Sequence, residues 1–385
     1  ETWRWSKILH QHGVPCVMLI HEFATYCTGN DAFKDACLWS TKVVLSSPAT
    51  HTDMKRVFPE LEETPIELLP QGRCHIPGRT FDTESISPSK PFHLSSIPEL
   101  KYCHNSEWLD ECSLIVGSGT LAPRKGADLF ISVCNRVLKK TTQPVLCLWL
   151  AGPDRTSDYK TTRMWCDDQI RRSGIEKRVM IIHAHEHYER LMRRADLFLL
   201  TSRLDPLPNV TLDSLHNGIP TLTFSQASGT ASWLERDPWL RERCVAPYLD
   251  TTAMAEQALH LLENNDEHIK VGKKVKDLAQ KTFSMLHYKQ QIRSLGNHCF
   301  EYKEQKEKAI KQIMDSKVFN PEMAISPQSS EVEMVPMISH YLQCWKRKIE
   351  MRKPFAGFHP GLFADHHPNT AGDPLQTWLN HDRPL

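Results

Sequence analysis

Asp205 and Asp213 stand eight positions apart, and the segment around them has the pattern of a ligand-binding turn. The apolar run 195–201 predicts a buried strand. The prolines that follow predict a turn, and a short helix then ends at Gly218. In open α/β sheets, ligands bind where a strand ends and the next helix begins. Amides at a helix start can hold an anion, and a carboxylate behind them can accept hydrogen bonds from hydroxyls. The predicted ligand is therefore a diphosphate joined to a ribose.

A second loop places two cations, Arg124 and Lys125, directly before Gly126 at another predicted strand-to-helix junction. A surface Arg-Lys pair is ordinarily solvated and has no further role. At this junction, however, the cations would meet the diphosphate from the side opposite the Asp205 loop. Fixed cations that meet charge as it grows on a leaving group make a large contribution to catalysis. The loop therefore predicts a donor-binding function for both side chains.

The elements that must position these loops follow from apolar runs and helical periodicity. Residues 14–20, 43–47 and 66–70 predict three short strands in a first region, residues 1–107. In residues 108–280 the predicted strands are 114–117, 145–152, 179–182, 197–201 and 220–224. One predicted helix between them has its apolar face at Phe130, Val133, Cys134, Val137 and Leu138. Nearly continuous apolar strands that alternate with helices predict a parallel sheet covered on both faces.

Helical patterns continue at residues 252–264 and from about 270 to 315. The composition then changes, because residues 316–334 are rich in Ser, Pro and Glu and predict a linker. Residues 335–385 form a predicted extension. Its aromatic side chains, Phe355, Phe358, Phe363 and Trp378, are denser than in a disordered tail.

The order of the motifs resembles that of family 4 glycosyltransferases, which are retaining enzymes of the GT-B fold that use nucleotide sugars. The resemblance covers roughly residues 10–300. It rests on Val-Met-Leu-Ile-His-Glu at 17–22, Leu-Leu-Pro-Gln-Gly at 68–72, the loop 117–126, Leu-Ala-Gly at 150–152 and the acidic pair. The pair Asp205 and Asp213 resembles the carboxylate-x7-carboxylate signature of the family, with aspartate in place of both glutamates.

The resemblance implies an α/β protein of the GT-B fold: two Rossmann-like parallel-sheet domains followed by a C-terminal helical or irregular extension. It places an acceptor-side domain at 1–107, a donor-binding domain at 108–280 and closing helices at 281–315. The linker and the extension follow at 316–334 and 335–385. The glycine-rich turn of the family's first domain is not found, so we expect that domain to be truncated at its N-terminal side.

Residue roles also follow from the resemblance. Asp213 would bind the ribose hydroxyls of the donor, and Asp205 would lie near the donor sugar. Lys125 aligns with the family's lysine, whereas Thr120 stands where the family has an arginine, which makes Arg124 the substitute. His21 would contact donor-sugar hydroxyls or the backbone near the acceptor. The predicted catalytic set is His21, Lys125 and Asp205, and the predicted donor-binding set is Gly119, Arg124, Lys125, Leu207, Asn209, Val210 and Asp213.

Composition excludes several other classes of protein. A net charge of +1 over 385 residues argues against a dedicated nucleic-acid binder. The apolar runs are shorter than the roughly 18–20 residues that cross a bilayer. The 12 cysteines form no C-x-x-C pair, and Cys134 and Cys147 lie in apolar patterns. We therefore expect buried thiols in a reducing, cytoplasmic compartment.

We expect neither a metal nor a cofactor. The histidines of residues 183–187 and the group Asp365, His366 and His367 have no recognisable zinc spacing.

The predicted function is retaining transfer of a sugar from a nucleotide-sugar donor to a saccharide acceptor, in the synthesis of a cell-surface polysaccharide. Residues 352–363 and 372–379 resemble connecting segments of large bacterial polysaccharide-biosynthesis proteins. Association with a membrane surface or a synthase complex therefore stays open. Two other functions also stay open: a catalytically inactive nucleotide- or sugar-binding scaffold, and a nucleotide-sugar epimerase of similar fold.

Overall fold

The computed structural model describes residues 5–27, 32–74, 93–101, 104–154, 157–183, 188–326, 333–349, 351–368 and 373–380. The chain divides into two compact units. The first unit comprises residues 1–45, 50–69 and 289–385, and the second comprises residues 46–49 and 70–288. The predicted boundary at residue 107 therefore differs from the observed division, and the last part of the chain groups with the first strands.

The N-terminal part of the chain contains three short parallel strands, as the apolar runs predict. They are β1 (Val17–Ile20), β2 (Lys42–Leu45) and β3 (Glu67–Leu68), and they lie in the order β1-β2-β3. The helices of this part are α1 (Trp5–Gln11), α2 (Ala32–Trp39) and α3 (Pro48–Val57), with 3-10 turns at Ala24–Cys27 and Pro59–Leu61. The core of this sheet is formed by apolar side chains such as Ile20, Phe33, Val43 and Leu45.

The second unit is built on a sheet of 6 parallel strands. These are β4 (Ser113–Gly119), β5 (Val145–Ala151), β6 (Val179–His183), β7 (Leu197–Leu200), β8 (Thr221–Phe224) and β9 (Val245–Ala246). Their order, β6-β5-β4-β7-β8-β9, is that of a doubly wound dinucleotide-binding domain, in which the strand order reverses beside the first strand. The five predicted strands are confirmed, and β9 is additional.

The helices of the second unit connect these strands and cover the sheet. They are α4 (Pro98–Lys101), α5 (Ser106–Glu111), α6 (Ala127–Lys140), α7 (Tyr159–Ser173), α8 (Tyr188–Arg194), α9 (Asn209–His216), α10 (Gly229–Leu234), α11 (Pro238–Cys244), α12 (Thr251–Glu263) and α13 (Asn265–Thr282). A 3-10 turn, Pro123–Lys125, precedes α6. The predicted apolar face of α6 is confirmed, because Phe130, Val133, Cys134 and Val137 are buried and Leu138 packs against them.

Alternate residues of the strands enter two separate apolar cores, one on each face of the sheet. Ile115 and Leu197 belong to one core, while their chain neighbours Val116 and Phe198 belong to the other. This alternation is expected when both faces of a parallel sheet are covered by helices. The two cores hold the strands in place. The loops that follow the strand ends carry the predicted site.

The C-terminal part of the chain is helical and belongs to the first unit from residue 289 onwards. Its helices are α14 (Met285–Ser316), α15 (Pro321–Ala324), α16 (Met334–Arg347), α17 (Pro360–His366) and α18 (Pro374–Asn380). Phe355, Phe358 and Trp378 pack against one another with ring centroids 5.2–5.5 Å apart. The aromatic residues of the predicted extension therefore form an ordered cluster.

The predicted linker differs from the observed structure where residues 316–326 are described. Phe319, Ala324 and Ile325 are buried in the same apolar cluster as Trp378. The polar composition of the segment predicted a linker, but the burial of these apolar side chains packs it into the fold. No helix in the described part of the chain combines the length and the hydrophobicity needed to span a bilayer.

Candidate functional site

The candidate site lies at the carboxyl ends of β4 and β7, the neighbouring strands at which the strand order of the second unit reverses. Ligands of doubly wound sheets bind in the crevice outside this edge. The loop after β4 carries Arg124 and Lys125, and the loop after β7 carries Asp205. The topology therefore brings together the two loops that the sequence singled out.

Direct bonds hold the two loops against each other. The Thr201 hydroxyl donates to the Gly126 carbonyl over 2.8 Å, and the Arg203 amide donates to the Arg124 carbonyl over 2.8 Å. Gly126 has a φ of +70°, and a Cβ there would lie 1.9 Å from the Thr201 carbonyl oxygen. Only glycine accommodates both the left-handed backbone and this close approach. The local structure therefore explains why glycine follows Lys125.

Lys125 and Asp205 are joined by an ion pair between Nζ and Oδ2. The Ser202 hydroxyl donates to the same carboxylate oxygen over 3.3 Å. Asp205 is buried, with 4% of its surface exposed, whereas 19% of the Lys125 side chain remains exposed. The lysine is thus fixed by a buried carboxylate while part of it can still meet a ligand.

The backbone of Asp205 is fixed from a third loop, which follows β8. Its amide donates to the Ala227 carbonyl over 2.9 Å, and its carbonyl accepts from the Gly229 amide over 3.0 Å. A Cβ at Gly229 would lie 1.8 Å from the Pro206 carbonyl oxygen, so this contact also requires glycine. Three consecutive strand ends of the sheet therefore set the position of one carboxylate.

Gly119 and Arg124 occupy different positions in the β4 loop. Gly119 ends β4, and its carbonyl accepts from the Trp149 indole over 3.1 Å. A Cβ at Gly119 would lie 3.5 Å from side-chain carbons of Lys125, so the lysine stem passes over this glycine. Arg124 donates from Nη1 to the Leu204 carbonyl over 3.3 Å. Arg124 therefore binds the neighbouring loop, a contact that the sequence did not indicate.

The segment after Asp205 leads into α9 as predicted. Leu207 is buried, Asn209 is exposed as the first residue of the helix, and Val210 follows at intermediate exposure. Pro208 precedes the helix and has no N–H to offer. The first amides of a helix have no partner within it, so those of α9 suit an anion.

Asp213 is held by two residues that sequence reasoning missed, Arg73 and Tyr188. The Arg73 Nε donates to Oδ1 over 2.9 Å, and the Tyr188 hydroxyl donates to Oδ2 over 3.1 Å. Burial raises the pKa of Tyr188, and the charge of Asp213 raises it further, so the phenol remains a donor. An ionised carboxylate has about four acceptor positions, so Asp213 can accept further hydrogen bonds beside these two.

Residues 70–74 are held by contacts on two sides. The Arg73 amide donates to the Phe283 carbonyl over 2.9 Å, and the Gln71 side chain donates to the Leu207 carbonyl over 2.7 Å. A Cβ at Gly72 would lie 2.3 Å from the Cα of Met285. Gly72 belongs to the motif at 68–72, and Arg73 directly follows it. That motif was therefore the one feature of the sequence that could have indicated a role for Arg73.

Two other segments that the sequence singled out follow other strands. His21 follows β1 in the first unit and is exposed, and its part in a reaction stays a prediction. His183 ends β6 and is exposed, whereas residues 184–187 lie outside the described residues. Within the described ranges, no group of three or more His, Cys, Asp or Glu side chains is arranged to hold a metal ion.

Residues 113–264 match the protein family described as Glycosyl transferases group 1. This match covers less than half of the chain and falls within the region predicted to bind the donor. A stretch of 114 residues is 26% identical to mannosylfructose-phosphate synthase of Agrobacterium fabrum. That alignment covers 29% of this chain and 25% of the synthase, so the chain matches about a quarter of that relative's length.

Solved structures of similar fold extend over more of the chain. HepE of Anabaena, in complex with UDP, superposes with a TM-score of 0.61 at 17% identity, covering 77% of this chain and 76% of HepE. Sucrose-phosphate synthase of Thermosynechococcus elongatus gives a TM-score of 0.56 at 16% identity, over 75% and 69% of the two chains. Together with the parallel sheets of the two units, these likenesses show that the fold is GT-B.

Proposed function

We propose that this chain is a glycosyltransferase that transfers a sugar from a nucleotide-sugar donor to a saccharide acceptor, with retention of anomeric configuration. The observation that carries the proposal is the ion pair between Lys125 and Asp205 at the reversal of strand order. It places a fixed cation where a doubly wound sheet binds a diphosphate. The match of residues 113–264 to group 1 glycosyl transferases supports the same chemistry.

The reaction joins the anomeric carbon of the sugar to a hydroxyl oxygen of the acceptor, which gives up its proton to the departing diphosphate, and breaks the bond between that carbon and the diphosphate oxygen. The bonding electrons remain on that oxygen, so negative charge grows on the nucleoside diphosphate. Lys125 stabilises this charge, and Asp205 keeps the ammonium in position before the charge appears. Such pre-positioned groups stabilise a transition state more than a solvated lysine could, because they need no reorganisation. The amides of Asn209 and Val210 supply further donors at the start of α9.

We assign the nucleoside of the donor to Asp213, which lies at the other end of the segment 205–213 from Asp205. Its carboxylate accepts a ribose hydroxyl while Arg73 and Tyr188 hold it in place. Arg73 then brings a second cation to the segment that carries Asp213, whereas Thr120 stands where the resemblance predicts an arginine. A uridine diphosphate donor is the first candidate, because HepE was solved in complex with UDP and with UDP-glucose.

The acceptor is proposed to be a growing cell-surface saccharide, bound by the first unit with His21 at the end of β1. This assignment rests on the resemblance of the sequence motifs.

One observation favours a second candidate, a scaffold that binds a nucleotide sugar without turnover. Both oxygens of Asp213 already accept hydrogen bonds from side chains of the chain itself. A donor that cannot rearrange these contacts would bind without reaching the transition state. The measurement that separates the two functions is release of nucleoside diphosphate from a nucleotide sugar, which a scaffold does not catalyse.

Donor binding itself is tested by thermal unfolding in the presence of a panel of nucleotide sugars. A ligand at about 100 times its Kd stabilises the folded state by roughly 2.7 kcal/mol, which is readily measured. We expect one or a few nucleotide sugars to raise the unfolding midpoint of the wild type. The shift should be reduced in Asp213→Ala and retained in Asp277→Ala, whose aspartate is exposed on α13. No shift with any nucleotide sugar would contradict the proposal.

A further inference from the structure

The first unit contains a cavity of about 450 Å³ between α14, α16 and the start of α18. Its polar wall includes Tyr302, Lys306, Trp345, Lys346, Asp373 and Gln376. The Lys346 ammonium donates over 2.8 Å to the carbonyl of Thr41, the residue before β2. The cavity therefore lies near the amino end of this sheet, whereas His21 follows β1 at the carboxyl end. It is distinct from the edge at which open α/β sheets bind their substrates.

Three lysines line this cavity: Lys348 is paired with Glu63 over 3.1 Å, whereas Lys306 and Lys346 are not paired with a described carboxylate. The Lys346 ammonium lies 3.2 Å from the centroid of the Tyr302 ring, and the Lys306 Nζ lies 3.5 Å from the His10 Nε2. Burial lowers the pKa of Lys306 to about 7. Burial also lowers the pKa of Lys346 to about 6, with a further contribution from repulsion by Arg347 and Lys42. A bound anion would relieve this cost, because it would favour the charged form of both lysines.

Little negative charge on the described wall of the cavity balances these cations. On the described wall of the cavity, Asp373 is the one carboxylate, and no described lysine pairs with it within 4 Å. Its Oδ1 accepts from the Gln376 amide over 3.0 Å, while its Oδ2 is buried without a hydrogen-bond partner. The Trp345 indole nitrogen is likewise buried and unpartnered. Buried charges and polar groups without partners are costly and call for a ligand that supplies them.

The geometry points to a second ligand site here, for a small phosphate-bearing molecule. The phosphate would lie between the ammonium groups of Lys306 and Lys346, because two cations match the two charges of a phosphomonoester better than the single charge of a carboxylate. The remainder of the ligand would lie along Tyr302 and Trp345. Asp373 and Gln376 offer hydrogen bonds to its hydroxyls. A volume of about 450 Å³ is within the range of small-molecule sites.

The test is calorimetric titration of the full chain with glucose 6-phosphate. Inorganic phosphate and glucose are titrated separately, because each represents one part of that ligand. We expect binding of glucose 6-phosphate, weaker binding of phosphate and none of glucose. Lys306→Met should weaken glucose 6-phosphate binding at least tenfold. Lys308→Met, an exposed position on the same helix, should bind as the wild type does. Lys125→Met should also retain binding, which separates this site from the proposed donor site.

Folding of the key variant can be checked independently. Lys306→Met keeps the length of the side chain and removes a partly buried charge, so the unliganded variant should unfold at the same temperature as the wild type or higher. Lys306→Gln provides a second, polar replacement with the same expected loss of binding. Absence of glucose 6-phosphate binding to the wild type would overturn the proposal. Binding that survives both Lys306 variants, or that is lost in Lys125→Met, would overturn it equally.

Discussion

The ammonium of Lys125 and the carboxylate of Asp205 form an ion pair between residues 80 positions apart in the chain. The pair links the loops that follow β4 and β7, where the sheet of the second unit reverses its order. Burying one partner while leaving the other partly exposed gives the lysine a fixed position and access to a ligand. This relationship underlies the proposed stabilisation of a departing nucleoside diphosphate.

Lys125→Ala is expected to lower turnover by roughly 10²–10³ through the loss of electrostatic stabilisation. The effect on donor affinity should be smaller, because the charge grows only as the glycosidic bond breaks. Steady-state release of nucleoside diphosphate measures the first quantity, and calorimetry measures the second. Lys139→Ala, at an exposed position on α6, is the matched control. Normal turnover by a folded Lys125→Ala variant would remove this lysine from the mechanism.

Gly126→Ala should destabilise the protein by at least about 2 kcal/mol more than Gly174→Ala, because it adds overpacking to backbone strain. Both glycines have left-handed backbones, with φ of +70° and +66°, but a Cβ at Gly174 would meet nothing within 4 Å. Gly174→Ala therefore reports the backbone cost alone, about 1–2 kcal/mol. Denaturant unfolding of the two variants gives the difference. Equal destabilisation would show that the close approach to Thr201 has no energetic role.

Asp213→Ala is expected to weaken binding of a nucleoside diphosphate by roughly 1.5–3 kcal/mol, the usual contribution of a charge-assisted hydrogen bond. The same variant should weaken binding of the nucleoside alone, because the ribose is common to both ligands. Calorimetry on a folded variant measures both affinities, with Asp277→Ala as the control. Affinities identical to those of the wild type would exclude Asp213 as a ribose ligand.

Arg73→Met separates two roles for the guanidinium that holds Asp213. If Arg73 serves as the second cation for the diphosphate, the variant should bind a nucleoside diphosphate about tenfold more weakly, the value of a charged hydrogen bond. Its affinity for the nucleoside should be unchanged. Tighter binding of both ligands would instead mean that Arg73 competes with the ribose for the Asp213 carboxylate.

Much of the second unit could be predicted because its signals are local. The buried strands appear as apolar runs, and the face of α6 follows from the spacing of Phe130, Val133 and Cys134. The pairing of the loops around Lys125 and Asp205 follows from topology, since the carboxyl ends of parallel strands share one edge. The two-residue strand β9 is too short to give a periodic signal.

What escaped prediction depends on contacts between distant parts of the chain. Arg73 and Asp213 are 140 positions apart, and no spacing rule connects them. The grouping of the C-terminal helices with the first strands depends on contacts such as that of the Arg347 guanidinium with the Pro65 carbonyl, at 3.0 Å. Arginine at a buried position is unusual, so its partners could not be inferred from composition.

The most direct measurement of the central claim is release of nucleoside diphosphate from the nucleotide sugar that best stabilises the folded chain. It should be followed with and without saccharide acceptors, for the wild type and for Lys125→Ala. We expect release by the wild type, faster release with an acceptor, and a loss of roughly 10²–10³ in the rate of the variant. Tight binding of the nucleotide sugar without release, under every acceptor condition and equally in both proteins, would contradict it.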